Sequence, residues 1–460
     1  MSSKRRGIGI GVALFCFVWG CDSDGGDSAS PEGTGGIPGP SRPACSPSGG
    51  EGAGPYADLF AGLGRLDRIP VRGRLVNEDG AVNNNDATPF NQFSQDEIGN
   101  ATVEVAVITS ECVRIELGSL TTGPEGYLEG VFEDVDVPAG IHRLEVSHQE
   151  RVAGTSSIRV LANDYTGLLI RSDVDQTWLD TRFMGTADKL ELLGKPASER
   201  RTLPAMNMVY PAIKTGLDGQ TDRSLVFLSG SPRFFKRVLE AKLVRDGVHA
   251  DGLVLKPFKD IIIDNLLAFD LDEISAELHE QIGYKVYNLL RLRLDVPPTA
   301  RELLMGDDTE ADVVAYALYH RFTAGMLDGD ALVAALGEVD VAEPWLGEIQ
   351  QLAPTVATHL AAHPAPVQTI YINRTDGLTG EHFPVGEWSI PGITRYHTGA
   401  WPLVLDLYED ERVSENDVRS VRMALQAAGH DASRLDAAAS AGVDDGFLDP
   451  MTAATFADAQ

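Results

Sequence analysis

Residues 167–181 read GLLIRSDVDQTWLDT. The apolar run Leu168, Leu169 and Ile170 predicts a strand buried on both faces, and Asp173 and Asp175 follow it with one residue between them. Carboxylates this close repel each other unless something offsets their charge. In open α/β sheets, ligands bind beyond the carboxyl ends of the strands, where this pair falls, so a bound cation is the natural offset. An acidic turn that caps a helix uses the same residue types, and the stretch alone leaves both readings open.

Further along, apolar runs alternate with helical patterns. The runs are SLVFL (224–228), GLVL (252–255), ELLM (302–305) and VQTIYI (367–372); the helical stretches include RFFKRVLEAKLV, EISAELHEQIGYKVYNLLRL and EADVVAYALYHRF. Continuous apolar strands joined by helices predict a doubly wound parallel sheet covered on both faces. Polar residues gather where the strands end: Ser229-Gly230-Ser231-Pro232, then Lys256, then Gly306-Asp307-Asp308. Lys285 lies on a predicted helix, on a face shared with Ile282, Val286 and Leu289. Each feature alone is an ordinary turn, snorkelling lysine or loop. Their appearance after successive buried strands is not ordinary, and it points to one edge of the sheet.

Upstream, residues 65–164 carry six short alternating segments separated by Gly, Asn, Asp and Pro turns, a pattern that predicts a small all-β, sandwich-like domain. It holds no metal-ligand spacing, so it reads as a spacer or binding module. Residues 1–21, MSSKRRGIGIGVALFCFVWGC, have the basic start and apolar run of a secretory signal. Residues 22–64 are rich in Gly, Ser and Pro and read as a tether. Whether Cys45 and Cys112 pair is left open. The net charge of −30 argues against nucleic acid as a partner, because phosphate backbones are held by Lys and Arg clusters. Residues 401–430 predict two amphipathic helices, the second capped by Ser414, and the Ala- and Asp-rich end predicts a frayed tail.

DVDQT after a strand, Ser229 at a strand end, Lys285 downstream and GDDTEAD (306–312) resemble the four motifs of the haloacid dehalogenase superfamily. SDVDQTWLDT, LSGSP, HEQIGYKVYNLL, LLMGDDTEAD and PAPVQTIYINR together resemble the catalytic domain of the actin-patch-associated phosphatidate phosphatases, relatives of the lipins, over about 65–400. The resemblance implies a Rossmann-like domain of the haloacid dehalogenase type at 165–400; residues 325–365, between GDDTEAD and VQTIYINR, exceed the family pattern and read as a helical insertion. It implies an aspartyl-phosphate mechanism with Asp173 as nucleophile and Asp175 as acid and base. Ser229 and Lys285 would hold the phosphate, with Lys256 as the second candidate for the lysine. Mg²⁺ would be bound by Asp173, Asp307 and the backbone carbonyl of Asp175, with Asp308 or Asp312 in support. The ending VWGC resembles a lipoprotein cleavage box, which implies lipidation at Cys21 and a place on a bacterial membrane in the cell envelope; a simple signal peptide or one short membrane anchor is the alternative. The expected substrate is phosphatidate or another phosphomonoester; the alternative is a surface-binding lipoprotein without catalysis. Trp178, Phe183, Met206, Met208 and Tyr210 are candidates either for a flap over an acyl chain or for core packing.

Overall fold

A computed structural model of the chain describes residues 45, 55–77, 88, 96–181, 195–256, 271–309, 311–375, 385–444 and 446–457. Alternation of apolar and polar residues, as in TVEVAVI, builds eight strands in the first half. They are β1 (Tyr56–Leu59), β2 (Gly62–Arg65), β3 (Arg68–Val76), β4 (Thr102–Ile108), β5 (Arg114–Thr121), β6 (Tyr127–Glu133), β7 (Gly140–His148) and β8 (Arg151–Leu161). Their inward residues, among them Ile69, Val71, Val105, Leu128 and Val146, make one core. Two separate sheets are not formed. β3 pairs with β6 over 68–74 and with β1 over 73–76, so hydrogen bonding runs unbroken through all eight strands.

β1 and β2 lie inside the stretch expected to be a tether. Gly64 serves close approach, not flexibility: a Cβ on it would stand 2.9 Å from the Arg68 carbonyl oxygen. Cys45 and Cys112 form a disulfide, their Cα atoms 5.6 Å apart. The remainder of 1–54, with Cys21, lies outside the described residues save Cys45. Among the described residues, no helix is long and apolar enough to cross a membrane.

The second half holds a six-stranded sheet, all parallel: β9 (Leu168–Ser172), β10 (Ser224–Pro232), β11 (Gly252–Lys256), β12 (Arg301–Asp307), β13 (Val367–Asn373) and β14 (Thr394–His397). Their spatial order is β11-β10-β9-β12-β13-β14. Counted from β9 this is the doubly wound order 3-2-1-4-5-6, whose switch point, the place where ligands bind, falls between β9 and β12.

Eleven helices surround the strands in the described residues: α1 (Met206–Thr215), α2 (Lys236–Arg245), α3 (Leu271–Leu294), α4 (Asp312–Thr323), α5 (Gly329–Glu338), α6 (Trp345–Leu360), α7 (Val385–Trp388), α8 (Ala400–Glu409), α9 (Glu415–Ala427), α10 (Ala432–Asp444) and α11 (Pro450–Phe456). One face of the sheet, through Ile170, Phe227 and Met305, packs on Val209, Leu239 and Leu403; the other, through Leu169, Leu228 and Leu304, packs on Val286, Val314 and Ile349. Burial on both faces is why these strands are almost wholly apolar. α5 and α6 occupy the 325–365 segment. Ser414 caps α9 in a capping box with Asp417. The tail is not frayed through its length, because α10, α11 and the turn between them bury Leu435, Ala439, Leu448 and Phe456. Sparse apolar anchors at helical spacing suffice where a prepared surface receives them.

Charges bind the two halves together. Asp295, next to the end of α3, accepts from Arg68 and Arg72 at 3.1 Å each, and Lys236 of α2 donates to Asp58 at 2.9 Å.

Candidate active site

Asp173 leaves β9 without leaving the sheet: its backbone N–H donates to the Met305 carbonyl of β12 at 2.8 Å, directly across the switch point. The chain then closes a tight turn. The N–H groups of Trp178 and Leu179 reach the Val174 carbonyl at 3.0 and 2.9 Å, the Gln176 N–H reaches Leu179, and Gln176 takes a φ of 52°. Among the described residues no helix begins at this turn, so the helix-cap reading of the aspartates has no helix to cap. Trp178 anchors the turn, fully buried against Phe227 with ring centroids 5.2 Å apart.

Three carboxylates cluster here, and two of them meet one ammonium. Lys285 Nζ, carried on α3 and fully buried, lies 3.0 Å from Asp173 Oδ1 and 2.6 Å from Asp312 Oδ1. Asp312 opens α4 and its Oδ2 accepts from the Asp307 N–H at 3.2 Å. The Thr309 N–H donates to Asp307 Oδ1 at 2.6 Å, and the Thr309 hydroxyl donates to the same oxygen. One oxygen each from Asp173, Asp307 and Asp312 lies within 4.8 Å of the others, and all three residues are buried. With the carboxylates ionised, three negative charges lie close together beside one buried ammonium, an arrangement that suits a bound cation. An all-oxygen donor set suits a hard cation such as Mg²⁺.

Gly306 makes this convergence sterically feasible, since a Cβ there would meet the Asp312 carboxyl group at 2.6 Å. Gly306→Ala is therefore expected to push Asp312 out of the cluster and abolish Mg²⁺-dependent thermal stabilisation, read as the melting shift between chelator and millimolar Mg²⁺. An unaltered shift would mean that Asp312 is dispensable for the ion.

Asp175, just past the nucleophile candidate, points across to the end of β10. Ser229 Oγ and Ser231 Oγ donate to Asp175 Oδ2 at 3.4 and 3.2 Å, and the Ser231 N–H donates to Ser229 Oγ at 3.0 Å. The two lysine candidates separate clearly. Lys256 Nζ sits 2.9 Å from Glu280, whereas Lys285 enters the aspartate cluster. So do the two supporting aspartates: Asp312 joins the cluster, while Asp308 accepts from the Thr375 N–H and hydroxyl at 2.9 and 2.8 Å.

No family model matches this chain. No curated protein matches it either. Among solved structures, an immunoglobulin-like protein from Pseudomonas aeruginosa aligns at 12% identity with a TM-score of 0.13, over 23% of this chain and 90% of its own. A glycosyl hydrolase family 2 member from Bacteroides cellulosilyticus aligns at 10% identity with a TM-score of 0.22, over 69% of this chain and 37% of its own. A Bacteroides uniformis β-glucuronidase aligns at 10% identity with a TM-score of 0.23, over 78% of this chain and 39% of its own. The chain thus spans well under half of these two hydrolases. Scores this low establish neither a shared fold nor a shared activity.

Some supporting residues stand outside the candidates that the sequence motifs supply. Asn373 ends β13 and ties the aspartate turn down: its Nδ2 donates to the Gln176 carbonyl at 2.7 Å while its Oδ1 accepts from the Gly399 N–H at 3.0 Å. A polar residue closing an apolar strand, as Asp307 does, was the available clue. Tyr210 on α1 shares a 2.6 Å hydrogen bond with Ser172, the residue before Asp173, and burial pushes its phenol far up. Arg200 is a third. Burial holds its guanidinium down to about 10, opposed by the nearby Asp175 carboxylate. Of the candidate flap residues, Trp178, Met206 and Tyr210 are buried core, Met208 is exposed, and Phe183 lies outside the described residues.

His397, at the end of β14, has its imidazole held down to about 4 by burial, as does His359 on α6. Their unfolded counterparts take up protons near pH 6.5, so the unfolded state binds more protons between pH 6.5 and 4. The contribution of these two histidines to stability is full above that window and is lost as the pH drops through it. In His397→Asn, the urea midpoint measured from pH 7 to 4 should fall less steeply than in the wild type, by about one proton.

Proposed function

We propose that this chain is a Mg²⁺-dependent phosphomonoester hydrolase of the haloacid dehalogenase type, acting on phosphatidate as a membrane-tethered lipoprotein anchored through Cys21. What supports it is the meeting of Asp173, Asp307, Asp312 and Lys285 at the switch point of a doubly wound parallel sheet, with Asp175 beside them on the Ser229 hydroxyl.

Each residue has a step in this reading. Asp173 Oδ attacks phosphorus and the bond to the alkoxide breaks, leaving an aspartyl-phosphate. Asp175 gives its proton to the departing oxygen, then takes one from the water that attacks the phosphoenzyme, so that phosphate leaves and Asp173 is restored. The Lys285 ammonium holds the Asp173 carboxylate in place and offsets phosphate charge. Ser229 turns its hydroxyl from Asp175 to a phosphate oxygen. Mg²⁺, held by the Asp173 and Asp307 carboxylates with Asp312 beside them, supplies positive charge against the phosphate oxygens. The deciding experiment is Mg²⁺-dependent phosphate release from micellar phosphatidate. Release from soluble phosphomonoesters alone would keep the chemistry and reject the lipid substrate.

A further inference from the structure

A cavity of about 420 Å³ opens where the all-β region meets α3, α6 and the edge strand β11, within the ~300–1,000 Å³ range of small-molecule sites. None of Asp173, Asp175, Ser229, Lys285, Asp307 and Asp312 lines it. Its wall carries the guanidiniums of Arg72, Arg233 and Arg291. Arg72 is balanced by Asp295 at 3.1 Å. Arg233, at 3.0 Å, and Arg291 both donate to the single carboxylate of Glu129, so this trio keeps a surplus positive charge in a chain whose net charge is −30. Glu348, the other carboxylate of the wall, is exposed, where solvent screens its charge.

The opposite side is aromatic. The rings of Tyr284 and Tyr287 lie 5.8 and 5.5 Å from that of Trp345. Two buried atoms here have no hydrogen-bond partner among the described residues: Oη of Tyr284, a residue 1% exposed, and Nε1 of Trp345. An indole N–H can only donate, so it calls for an acceptor. Surplus positive charge, two idle donors and a lining of rings define one chemistry. We propose that this cavity is a second binding site, for a small organic oxyanion with a flat aromatic body, its charge on Arg233 and Arg291 and its ring against Trp345.

The probe is 8-anilinonaphthalene-1-sulfonate, titrated into the full chain and followed by energy transfer from tryptophan. One molecule should bind. Arg291→Gln and Tyr284→Phe, which leave α3 and the aspartate cluster in place, should each weaken it about tenfold, as loss of a hydrogen bond to a charged group does. The uncharged N-phenyl-1-naphthylamine should bind at least about tenfold more weakly than the sulfonate, and Asp173→Asn should leave binding unchanged. Equal affinity in wild type and both cavity variants, or equal affinity for the uncharged probe, overturns the proposal.

Discussion

Asp173→Asn should lower Mg²⁺-dependent phosphate release by about four powers of ten or more, the scale on which removing a covalent nucleophile acts. A carboxamide is nearly isosteric with the carboxylate but has no charge with which to attack phosphorus. The fold should survive, for a physical reason visible in the cluster. Asp173 is one of three buried carboxylates around a single lysine, and neutralising it reduces the excess negative charge while Lys285 keeps Asp312 at 2.6 Å. In chelator, the variant should therefore melt at or above the wild-type temperature, and its gain on adding Mg²⁺ should shrink. Full activity in a correctly folded Asp173→Asn protein would end the covalent mechanism.

Lys285→Met should act in the opposite sense, on stability first. The ammonium is fully buried and bridges Asp173 and Asp312. Its removal takes the ammonium away from the buried Asp173 and Asp312 carboxylates, and breaking a buried pair in this way costs about 3–5 kcal/mol. The loss is read from urea midpoints in chelator, at unchanged slope. Mg²⁺ should recover part of it, since an ion at a hundred times its dissociation constant stabilises by about 2.7 kcal/mol. The double variant Lys285→Met, Asp312→Asn should be more stable than Lys285→Met alone, because the two changes share one interaction. Wild-type stability of Lys285→Met in chelator would show that the three acids do not carry the charge assigned to them.

Much of this site was legible in sequence because it follows strand ends. Asp173, Ser229 and Asp307 each close a buried apolar run, and parallel strands bring their carboxyl ends to one edge whatever their order. Local pattern also marked α2, α3, α4, α8 and α9, the cap at Ser414 and the parallel architecture, since apolar periodicity records burial directly. What pattern does not record is distance across the fold. Nothing local distinguishes Lys285 from Lys256, or Asp312 from Asp308. Only the packing of α3 over the sheet sends one lysine to Asp173 and the other to Glu280, and only the missing side chain of Gly306 lets Asp312 approach. The same holds for Asn373, which matters because β13 and β14 end beside the aspartate turn, and for Gly64 of β2, which looks like linker until the Arg68 backbone fills the space it leaves. Sequence determined which residues stand at the ends of strands; tertiary packing decided which of them share a charge, because electrostatic pairing depends on separations of a few ångströms that no one-dimensional spacing encodes.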